Sequence, residues 1–366
     1  MHTQPPSKDF RGGYTRRVRT LKIGYQPYSP DLNHPADRRR LLHWAKIRGH
    51  EIVLDLDQKF DVLFLSGRSD FTKLTRRHRH TPIILDLVDG YLGDEDLWRD
   101  WLRGAGKVLM GHNSGIPRQF RKIVSEACSL SQAVACETIE QRETIIPFCA
   151  NTHPILDFHE EFPMRKFNKT VLKTNKPTLL WEGLPFTAKG LLQLEKFFTQ
   201  AAVTKSVTLE MVTNLEYPLL FGKYFLQDTK RIIGEIPSVL GNNFKITEWS
   251  LQAVVEAAAK SHIAVLPLDP SASLNHLKAE NRLLMMWRVG LPVLASPSLA
   301  YSRVMKTVDV DGICSTPEQW DLKISELLES QELCGELVEK GQQYIRDTHS
   351  ERNVLKSWDE LFESVI

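Results

Sequence analysis

The amino-acid sequence predicts an α/β protein made of two Rossmann-like, doubly wound domains. Short apolar runs alternate with amphipathic stretches from Val18 onward, which is the pattern of β-α-β units around a parallel sheet. The chain has 366 residues, more than one domain usually holds, so two domains are expected. The alternation stops in the polar, irregular segment 158–176 and resumes at Thr178, which places the domain boundary there.

The first predicted domain covers residues 1–165. A helix is predicted over 36–48, where the apolar residues fall on one side, with Gly49 as its C-terminal cap and Asn33 or Asp37 at its start. The apolar runs that are expected to form the sheet of this domain lie at 21–24, 51–56, 62–66, 82–86, 107–110, 132–135 and 153–157.

The second predicted domain covers residues 166–345. Its strands are expected at 178–182, 207–213, 245–249, 262–267, 292–295 and 312–315, and its helices at 190–200, 251–260, 281–289 and 318–329. The end of the chain reads as helices, and Leu355, Trp358 and Phe362 share one apolar side. The segment 346–366 is therefore predicted to pack back across the two domains.

Composition and charge narrow the functional classes. A net charge of +2 and scattered aromatic residues supply no continuous basic, stacking surface for nucleic acid. Five cysteines without CxxC spacing are typical of reduced thiols, and the apolar runs fall far short of the roughly 18 residues of a membrane span. We therefore expect a cytoplasmic protein. The basic segment 11–19 could rest against an anionic membrane, so the protein could also bind peripherally to the inner face of the membrane.

Several familiar signatures of cofactor and hydrolase chemistry are absent from the sequence. No GxGxxG opens a helix, and neither GxxxxGK[ST], HExxH nor GxSxG occurs. These absences disfavour dinucleotide oxidoreductases and P-loop enzymes. No cofactor is expected. A metal site at His153, Asp157 and His159 is disfavoured because no fourth ligand is evident and one strand turns alternate residues to opposite faces.

A loop between a predicted strand and a predicted helix suits a phosphate group. It reads WEGLPFTAKG at 181–190. Gly183 permits close approach of the backbone, the helix start offers unpaired N–H groups and the positive end of its dipole, and Lys189 adds a full charge. The alternative is an ordinary strand-to-helix loop that happens to hold glycine and lysine.

A second candidate for anion binding is the segment LKAENR at 277–282, which precedes an apolar helix. Asn281 is expected to cap that helix, so that its start faces the carboxyl ends of the strands, where open α/β sheets bind ligands. Lys278 and Arg282 could neutralise the anion, and Glu280 could accept hydrogen bonds from ribose or sugar hydroxyls. The alternative is plain capping and surface charge.

The stretch LKAENRLLMMWRVGLPVLASPSLAY at 277–301 resembles the donor-binding region of GT-B glycosyltransferases of group 1, the GT4-like family. Lys189 and Gly190 resemble the phosphate-contacting loop of that family, and Trp249 lies where the family usually meets the base. The segment RGHEIV at 48–53 is similar to the step after the family's first helix. The similarity spans nearly the whole chain from residue 21.

The sequence also departs from the family pattern. The two positions that commonly hold glutamates separated by seven residues are Leu277 and Met285 here, and Lys278, Glu280 and Asn281 are the nearest substitutes. A glycine pair expected after the first strand is replaced by PDLNHP at 30–35. The sugar contacts of the family therefore do not transfer directly.

The first domain supplies candidates for the acceptor side. Asp86 and Asp89 flank the end of an apolar strand, where a carboxylate could orient an acceptor hydroxyl or assist its deprotonation, the alternative being a cap or turn aspartate. Arg38 and its two following arginines could face a phosphate or an anionic acceptor, or could form a solvated helix face. His112 could reach the donor sugar or lie in a turn.

The resemblance implies an enzyme that moves a sugar from a nucleotide-diphosphate sugar to a hydroxyl of a carbohydrate or lipid-linked acceptor, with retention and without metal, in surface polysaccharide assembly. Lys189, Lys278 and the helix start at Asn281 would stabilise the departing diphosphate, with Asp89 and Glu280 as catalytic candidates. Two alternatives remain at this point: a sugar-nucleotide epimerase, and a non-catalytic module that binds a sugar or nucleotide.

Overall fold

Two parallel β-sheets organise the chain, one on each side of residue 170. The computed structural model describes residues 19–72, 81–93, 97–109, 114, 116–170, 176–204, 207–219 and 225–366. The first sheet has the order β2-β1-β3-β4-β5-β6 with all neighbours parallel. Its strands are β1 (Lys22–Gln26), β2 (Glu51–Val53), β3 (Val62–Ser66), β4 (Ile83–Leu87), β5 (Ala133–Cys136) and β6 (Thr152–Pro154).

The first sheet is covered on both faces by helices. Every residue of β3, β4 and β5 is buried, as expected for a parallel sheet with helices on both sides. We call this part the N-terminal lobe. Its helices are α1 (Pro35–Arg38), α2 (Leu41–Arg48), α3 (Leu97–Leu109), α4 (Phe120–Leu130) and α5 (Ile139–Ile145), with a 3₁₀ turn at Tyr91–Gly93.

The second sheet has the order β11-β8-β7-β12-β13, again with all neighbours parallel. Its strands are β7 (Thr178–Glu182), β8 (Thr208–Thr213), β11 (Phe244–Glu248), β12 (Ile263–Leu266) and β13 (Val293–Ala295). A separate antiparallel hairpin, which the sequence did not predict, pairs β9 (Glu216–Leu219) with β10 (Phe225–Asp228). The strand order reverses between β7 and β12, and open α/β sheets bind ligands at such a reversal.

The second sheet and its helices form what we call the C-terminal lobe. The α-helices after β7 are α6 (Glu195–Thr204), α7 (Ile236–Leu240), α8 (Leu251–Lys260), α9 (Asn281–Arg288), α10 (Leu299–Thr307), α11 (Pro317–Glu329), α12 (Gln331–Thr348) and α13 (Glu351–Glu363). Shorter 3₁₀ segments lie at Pro185–Leu194, Thr229–Ile233, Gly241–Asn243 and Ser273–Leu277. No helix in these parts of the chain is both long and apolar enough to cross a bilayer.

The last helix, α13, packs on the N-terminal lobe, which confirms the predicted return of the C-terminus. Trp358 and Phe362 belong to the core beneath the first sheet, and the Phe362 ring stacks on Trp44 with a centroid distance of 4.1 Å. The indole Nε1 of Trp44 donates to Asp359 at 2.8 Å. Burial of these large aromatic side chains ties the end of the chain to α2 and thereby to the first lobe.

The strand predicted at 107–110 is wrong, because residues 107–109 form the end of α3. The carboxylate of Asp100 accepts a hydrogen bond from the backbone N–H of Arg121 at 2.9 Å. A side chain at Gly104 would meet the carbonyl oxygen of Arg118. These two contacts hold α3 close to the turn before α4, so a short apolar run that resembles a strand continues a helix instead.

The helix predicted over 36–48 is two helices, α1 and α2, separated at Arg39 and Arg40. The N-cap of α1 is His34, whose Nδ1 accepts from the backbone N–H of Ala36 at 3.2 Å, so neither Asn33 nor Asp37 caps it. Gly49 ends α2 in the left-handed conformation with φ of 70°, as predicted.

The elements that were predicted for the second lobe are present with two differences, and the helices α7 and α10 were not predicted. The predicted helix over 190–200 begins as a 3₁₀ segment at Pro185–Leu194 and becomes α-helical only from Glu195. The strand predicted at 312–315 is a single parallel bridge between Ala295 and Ile313. Neither difference moves the carboxyl ends of β7 and β12, where the candidate site lies.

Candidate functional site

The two lobes meet where segments that follow their strands pack together. Leu277, after β12, is buried, and its side chain lies against the turn after β4: an added Cβ at Gly90 would lie 2.6 Å from the Leu277 Cβ. The side chain of Gln141 donates to the Leu277 carbonyl oxygen at 3.1 Å. Leu277, one of the two positions that hold glutamates in the resembling family, is therefore an apolar contact between the lobes.

Asn281, the first residue of α9, joins the two lobes instead of capping its own helix. Its Nδ2 donates to Glu137 Oε1 at 2.8 Å, and its Oδ1 accepts from the Asp157 backbone N–H at 3.2 Å and lies 3.0 Å from His159 Nε2. The N-cap residue is Glu280, without a side-chain capping bond, so the predicted cap is wrong. The helix start does lie at the interface of the lobes.

Glu137 is a central residue of this interface that the sequence analysis did not single out. It directly follows β5, at the carboxyl edge of the sheet, and is 8% exposed. Burial raises the pKa of Glu137 well above its usual range, the charge of Asp157 adds to this, and Arg40 and Lys278 oppose it. An acidic residue immediately after a buried strand was the signal that could have identified it.

Asp86 does not face the cleft. Its side chain is 1% exposed and accepts from the Arg40 guanidinium at 2.9 Å (Nε) and 2.6 Å (Nη2). Arg40 also donates to the Ile155 carbonyl oxygen at 2.6 Å and lies 3.4 Å from Asp157. Asp86 is therefore not placed to orient an acceptor hydroxyl as predicted, because its buried carboxylate is paired with Arg40.

The neighbouring arginines, Arg38 and Arg39, form ion pairs and do not lie on a solvated helix face. Arg38 and Arg39 both pair with Glu161, and Arg39 is 6% exposed. The Arg38 guanidinium lies 5.4 Å from the centre of the Trp249 ring, which belongs to the other lobe. A cation over an indole face is attracted by the ring, so this contact helps to hold the lobes together.

Asp89 and Lys278 face each other across the interface. Lys278 Nζ lies 3.6 Å from Asp89 Oδ1, and the Tyr91 hydroxyl donates to Asp89 Oδ2 at 3.1 Å. The two charged side chains are 33% and 38% exposed, so solvent reaches them. Burial lowers the pKa of Lys278, but Asp89 and Glu137 outweigh it and raise that pKa overall.

Three of the predicted donor-binding residues meet around Glu182 at the carboxyl end of β7. Trp249 Nε1 donates to Glu182 Oε1 at 2.9 Å, and the Arg282 guanidinium donates to the Glu182 carbonyl oxygen. An added Cβ at Gly183 would lie 3.1 Å from Arg282 Cζ. We call Glu182, Gly183, Trp249 and Arg282 the β7 cluster.

Lys189 lies beside the loop after β12. Its Nζ is 3.1 Å from Asp269 Oδ2 and 3.2 Å from Ser271 Oγ, and its side chain is 51% exposed. A side chain at Gly190 would meet the carbonyl oxygen of Pro267, so Gly190 allows these two loops to pack closely. His112 lies outside the described residues.

Glu280 is 3% exposed and pairs with Arg303 at 2.9 Å, while Arg303 also binds Glu140 at 2.6 Å. Burial raises the pKa of Glu280, and Arg303 opposes it. Glu280 lines a cavity of about 280 Å³ together with Tyr344 of α12. Within the described parts of the chain, no group of three histidine, cysteine or acidic side chains could hold a metal ion.

His349 gives a testable pH dependence. Its Nε2 donates to the Asp157 carbonyl oxygen at 2.8 Å, and burial lowers the pKa of His349 from 6.5 to about 4. The neutral form is favoured in the folded state, so its contribution to stability is complete above pH 6.5 and is lost as the pH falls toward 4. In urea titrations, the free energy of unfolding of the wild type should fall by about 3 kcal/mol relative to that of His349→Gln as the pH falls through this range.

Glutamine at 349 keeps an N–H donor for Asp157 but cannot be protonated. His276→Gln, at an exposed histidine, is the control for a general effect of removing an imidazole. Parallel stability curves for the wild type and His349→Gln between pH 6.5 and 4 would contradict the prediction.

Two doubly wound lobes with facing carboxyl edges, joined by a helix that returns to the first lobe, define the GT-B class of fold. Solved GT-B glycosyltransferases match the chain along most of its length. Anabaena HepE, in complex with UDP and glucose, has a TM-score of 0.63 and 11% identity, covering 94% of this chain and 100% of its own. WaaG, a glycosyltransferase of lipopolysaccharide biosynthesis, has 0.57 and 13%, covering 93% and 99%.

TarM of S. aureus, as a variant in complex with fondaparinux, α-GlcNAc-glycerol and UDP, has a TM-score of 0.60 and 15% identity and covers 84% of this chain. The chain spans only 57% of that TarM chain. No family profile matches the sequence, and no curated protein is significantly similar to it. At these identities the likeness concerns the fold, and the predicted fold class, two Rossmann-like domains of the GT-B type, is confirmed.

Proposed function

We propose that this protein is a glycosyltransferase that moves a sugar from a nucleotide-diphosphate sugar to a hydroxyl of a carbohydrate or lipid-linked acceptor. The observation that carries the proposal is the β7 cluster. It brings Gly183, Trp249 and Arg282 together where the strand order of the second sheet reverses. The crystal structures of HepE and the TarM variant, which share the fold, hold UDP.

In this proposal the C-terminal lobe holds the donor. Trp249 stacks on the base, the backbone at Gly183 approaches the diphosphate, and Arg282, Lys189 and Lys278 supply positive charge. As the bond from the anomeric carbon to the diphosphate oxygen breaks, negative charge grows on the leaving group, and cations already in place stabilise it. These side chains supply the compensation that a metal ion would otherwise give, which supports metal-independent transfer.

The N-terminal lobe holds the acceptor. Asp89, oriented by the Tyr91 hydroxyl, accepts a hydrogen bond from the acceptor hydroxyl and takes up its proton as the oxygen bonds to the anomeric carbon. Glu280 has a minor role in this scheme, because its carboxylate is buried and paired with Arg303. Retention of configuration and a role in surface polysaccharide assembly are extensions of the proposal from the family resemblance.

Peripheral membrane contact is a further part of the proposal. The support for it lies on α3, where Trp98 and Trp101 are 67% and 42% exposed and their rings stack at 5.7 Å. Exposed tryptophans suit the membrane interface, where an apolar ring with a polar N–H is favourable.

The double variant Trp98→Ser with Trp101→Ser should reduce cosedimentation with anionic vesicles by about tenfold. The control Phe186→Ser, at a 66% exposed ring of the other lobe, should leave cosedimentation unchanged. Equal cosedimentation of both variants would contradict the contact.

A specific observation favours a second candidate, a nucleotide-sugar-binding module without turnover. The two glutamate positions of the resembling family hold Leu277 and Met285, and both side chains are buried. The Met285 sulfur lies 3.3 Å from Arg39, at the interface of the lobes. These positions provide packing in this chain, so catalysis would depend on other residues.

Incubation with a panel of nucleotide-diphosphate sugars, with and without candidate acceptors, tests the proposal. Transfer or donor hydrolysis supports the glycosyltransferase, an isomerised donor indicates an epimerase, and thermal stabilisation without turnover indicates the binding module. Arg282→Gln should abolish the stabilisation by the donor, and Arg352→Gln, at an exposed arginine of α13, should retain it. No stabilisation of the wild type by any member of the panel would contradict both candidates.

A further inference from the structure

Three cationic side chains converge at the carboxyl edge of the first sheet. Lys107 of α3 donates to the carbonyl oxygen of Gly67, the residue after β3, at 2.6 Å. Arg68 donates to the Tyr28 carbonyl oxygen at 2.9 Å, in the segment after β1. The Arg103 guanidinium lies 5.9 Å from the centre of the Tyr91 ring, in the turn after β4. We call Arg68, Arg103 and Lys107 the cationic site.

The cationic site holds the Lys107 ammonium at an electrostatic cost. Burial, with a smaller contribution from the like charges of Arg68 and Arg103, lowers the pKa of Lys107 to about 8, and Asp89 acts in the opposite direction. The ammonium also lies 4.5 Å from the centre of the Phe120 ring, which shields one side from water. The Lys107 ammonium is therefore charged at an energetic cost, which a bound anion would lower.

The bonds to backbone carbonyls satisfy single donors but do not neutralise charge. A lysine ammonium has three N–H donors and a guanidinium has five, so Lys107 and Arg68 keep donors beyond those given to Gly67 and Tyr28. Asp89, the carboxylate that acts on Lys107, also interacts with Lys278 and Tyr91. Its single negative charge is therefore shared between two lobes.

We propose that the cationic site binds an anionic group, a phosphate or a carboxylate, carried by the acceptor substrate. The anion site follows from the geometry alone, and the word acceptor rests on the function proposed above. Asp89 connects the two: it faces the donor side through Lys278 and the cationic site through its action on Lys107. An acceptor whose anion binds Lys107 and Arg68 would thus present a nearby hydroxyl to Asp89. Guanidinium groups bind both phosphate and carboxylate groups through bidentate hydrogen bonds.

The source of the anion is either a soluble sugar phosphate or uronate, or the phosphate of a lipid headgroup. Both present the same chemistry to Lys107 and Arg68. The probes are therefore glycerol 3-phosphate, glucuronate, and phosphatidylcholine vesicles with or without phosphatidic acid, with glycerol and glucose as neutral analogues. Binding only to vesicles that contain phosphatidic acid identifies the lipid source, and binding of the soluble probes identifies the soluble one.

The direct measurement is the NMR signal of the Lys107 side chain in protein labelled with ¹³C at the lysine ε-carbon, assigned with Lys107→Gln. With an anionic probe, the pKa of Lys107 should rise from about 8 to about 9 or higher, because an opposite charge favours the ammonium form. The neutral analogues should leave it unchanged. Lys122→Gln, at an exposed lysine of α4, should bind the probes as the wild type does.

Arg68→Gln is the second variant, because Arg68 is exposed and its replacement leaves the core intact. Each of Lys107→Gln and Arg68→Gln should weaken anion binding by about tenfold. An unchanged Lys107 titration with all anionic probes, or unchanged affinity in Arg68→Gln, would overturn the site. Anion binding without any donor turnover would uphold the site and count against the proposed transferase. Turnover of the donor without anion binding would overturn the site and support the proposed transferase.

Discussion

Arg40→Met should lower the free energy of unfolding by about 3–5 kcal/mol, the usual effect of removing one partner of a buried ion pair. Arg40 is completely buried, binds Asp86 through two nitrogens, and holds the Ile155 carbonyl oxygen. Methionine preserves much of the volume but leaves the Asp86 carboxylate, itself 1% exposed, without its counter-charge. Chemical denaturation of the two proteins measures the difference.

The pH dependence of this loss provides an independent check. Burial already raises the pKa of Asp86, and Arg40 is the group that opposes this rise. Without Arg40, Asp86 should take up a proton in the folded state. A raised folded-state pKa of an acid stabilises at low pH, and that contribution is lost as the pH rises through it. The variant should therefore fall further below the wild type at pH 8 than at pH 5.

A matched control exists in the exposed pair of Arg19 and Asp61, which is 2.7 Å apart. Arg19→Met should cost less than about 1 kcal/mol, since solvent screens exposed pairs. Combining Arg40→Met with Asp86→Asn should recover part of the loss, because the uncompensated charge is then removed. If Arg40→Met costs no more than Arg19→Met, the buried pair does not have the structural role assigned to it.

The two lobes could be predicted from the sequence because buried parallel strands carry nearly continuous apolar runs. The runs at 62–66 and 178–182 coincide with β3 and β7. The same rule failed at 107–110, where a short apolar run ends a helix. Whether such a run forms a strand or a helix depends on its packing, which in this case is the close approach of Gly104 to the backbone before α4.

The site was predictable where it is local and not where it depends on long-range contacts. Gly183 and Arg282 could be found because strand-to-helix junctions and charged helix starts are visible in sequence. Asn281 also looked like a local cap, yet its partners are Glu137 and His159, more than 120 residues earlier. No periodicity encodes such a pairing. Asp86 was placed at the correct end of its strand, but its occupation by Arg40 arises from tertiary packing.

Lys278→Ala should lower kcat/KM for sugar transfer by about 100-fold if the proposed function holds, with most of the loss in kcat. The Lys278 ammonium lies 3.6 Å from Asp89, and the Lys278 backbone carbonyl oxygen accepts a hydrogen bond from Ser298 Oγ at 3.0 Å. A diphosphate that gains charge during bond cleavage attracts this ammonium more strongly than the intact donor does. Its removal should therefore affect the transition state more than donor binding.

Lys278→Arg keeps the charge and should restore part of the turnover, whereas a purely structural role would respond to shape and not to charge. Lys306→Ala, at an exposed lysine in the last turn of α10, is the control for a general loss of positive charge in the same lobe. Lys189→Ala should weaken donor binding as well, because its ammonium is half exposed and its partners among the described residues are Asp269 and Ser271 alone. Since the leaving diphosphate must be neutralised by some cation of the C-terminal lobe, unchanged turnover in both Lys278→Ala and Lys189→Ala would remove both residues from the mechanism and leave Arg282 to carry the charge alone.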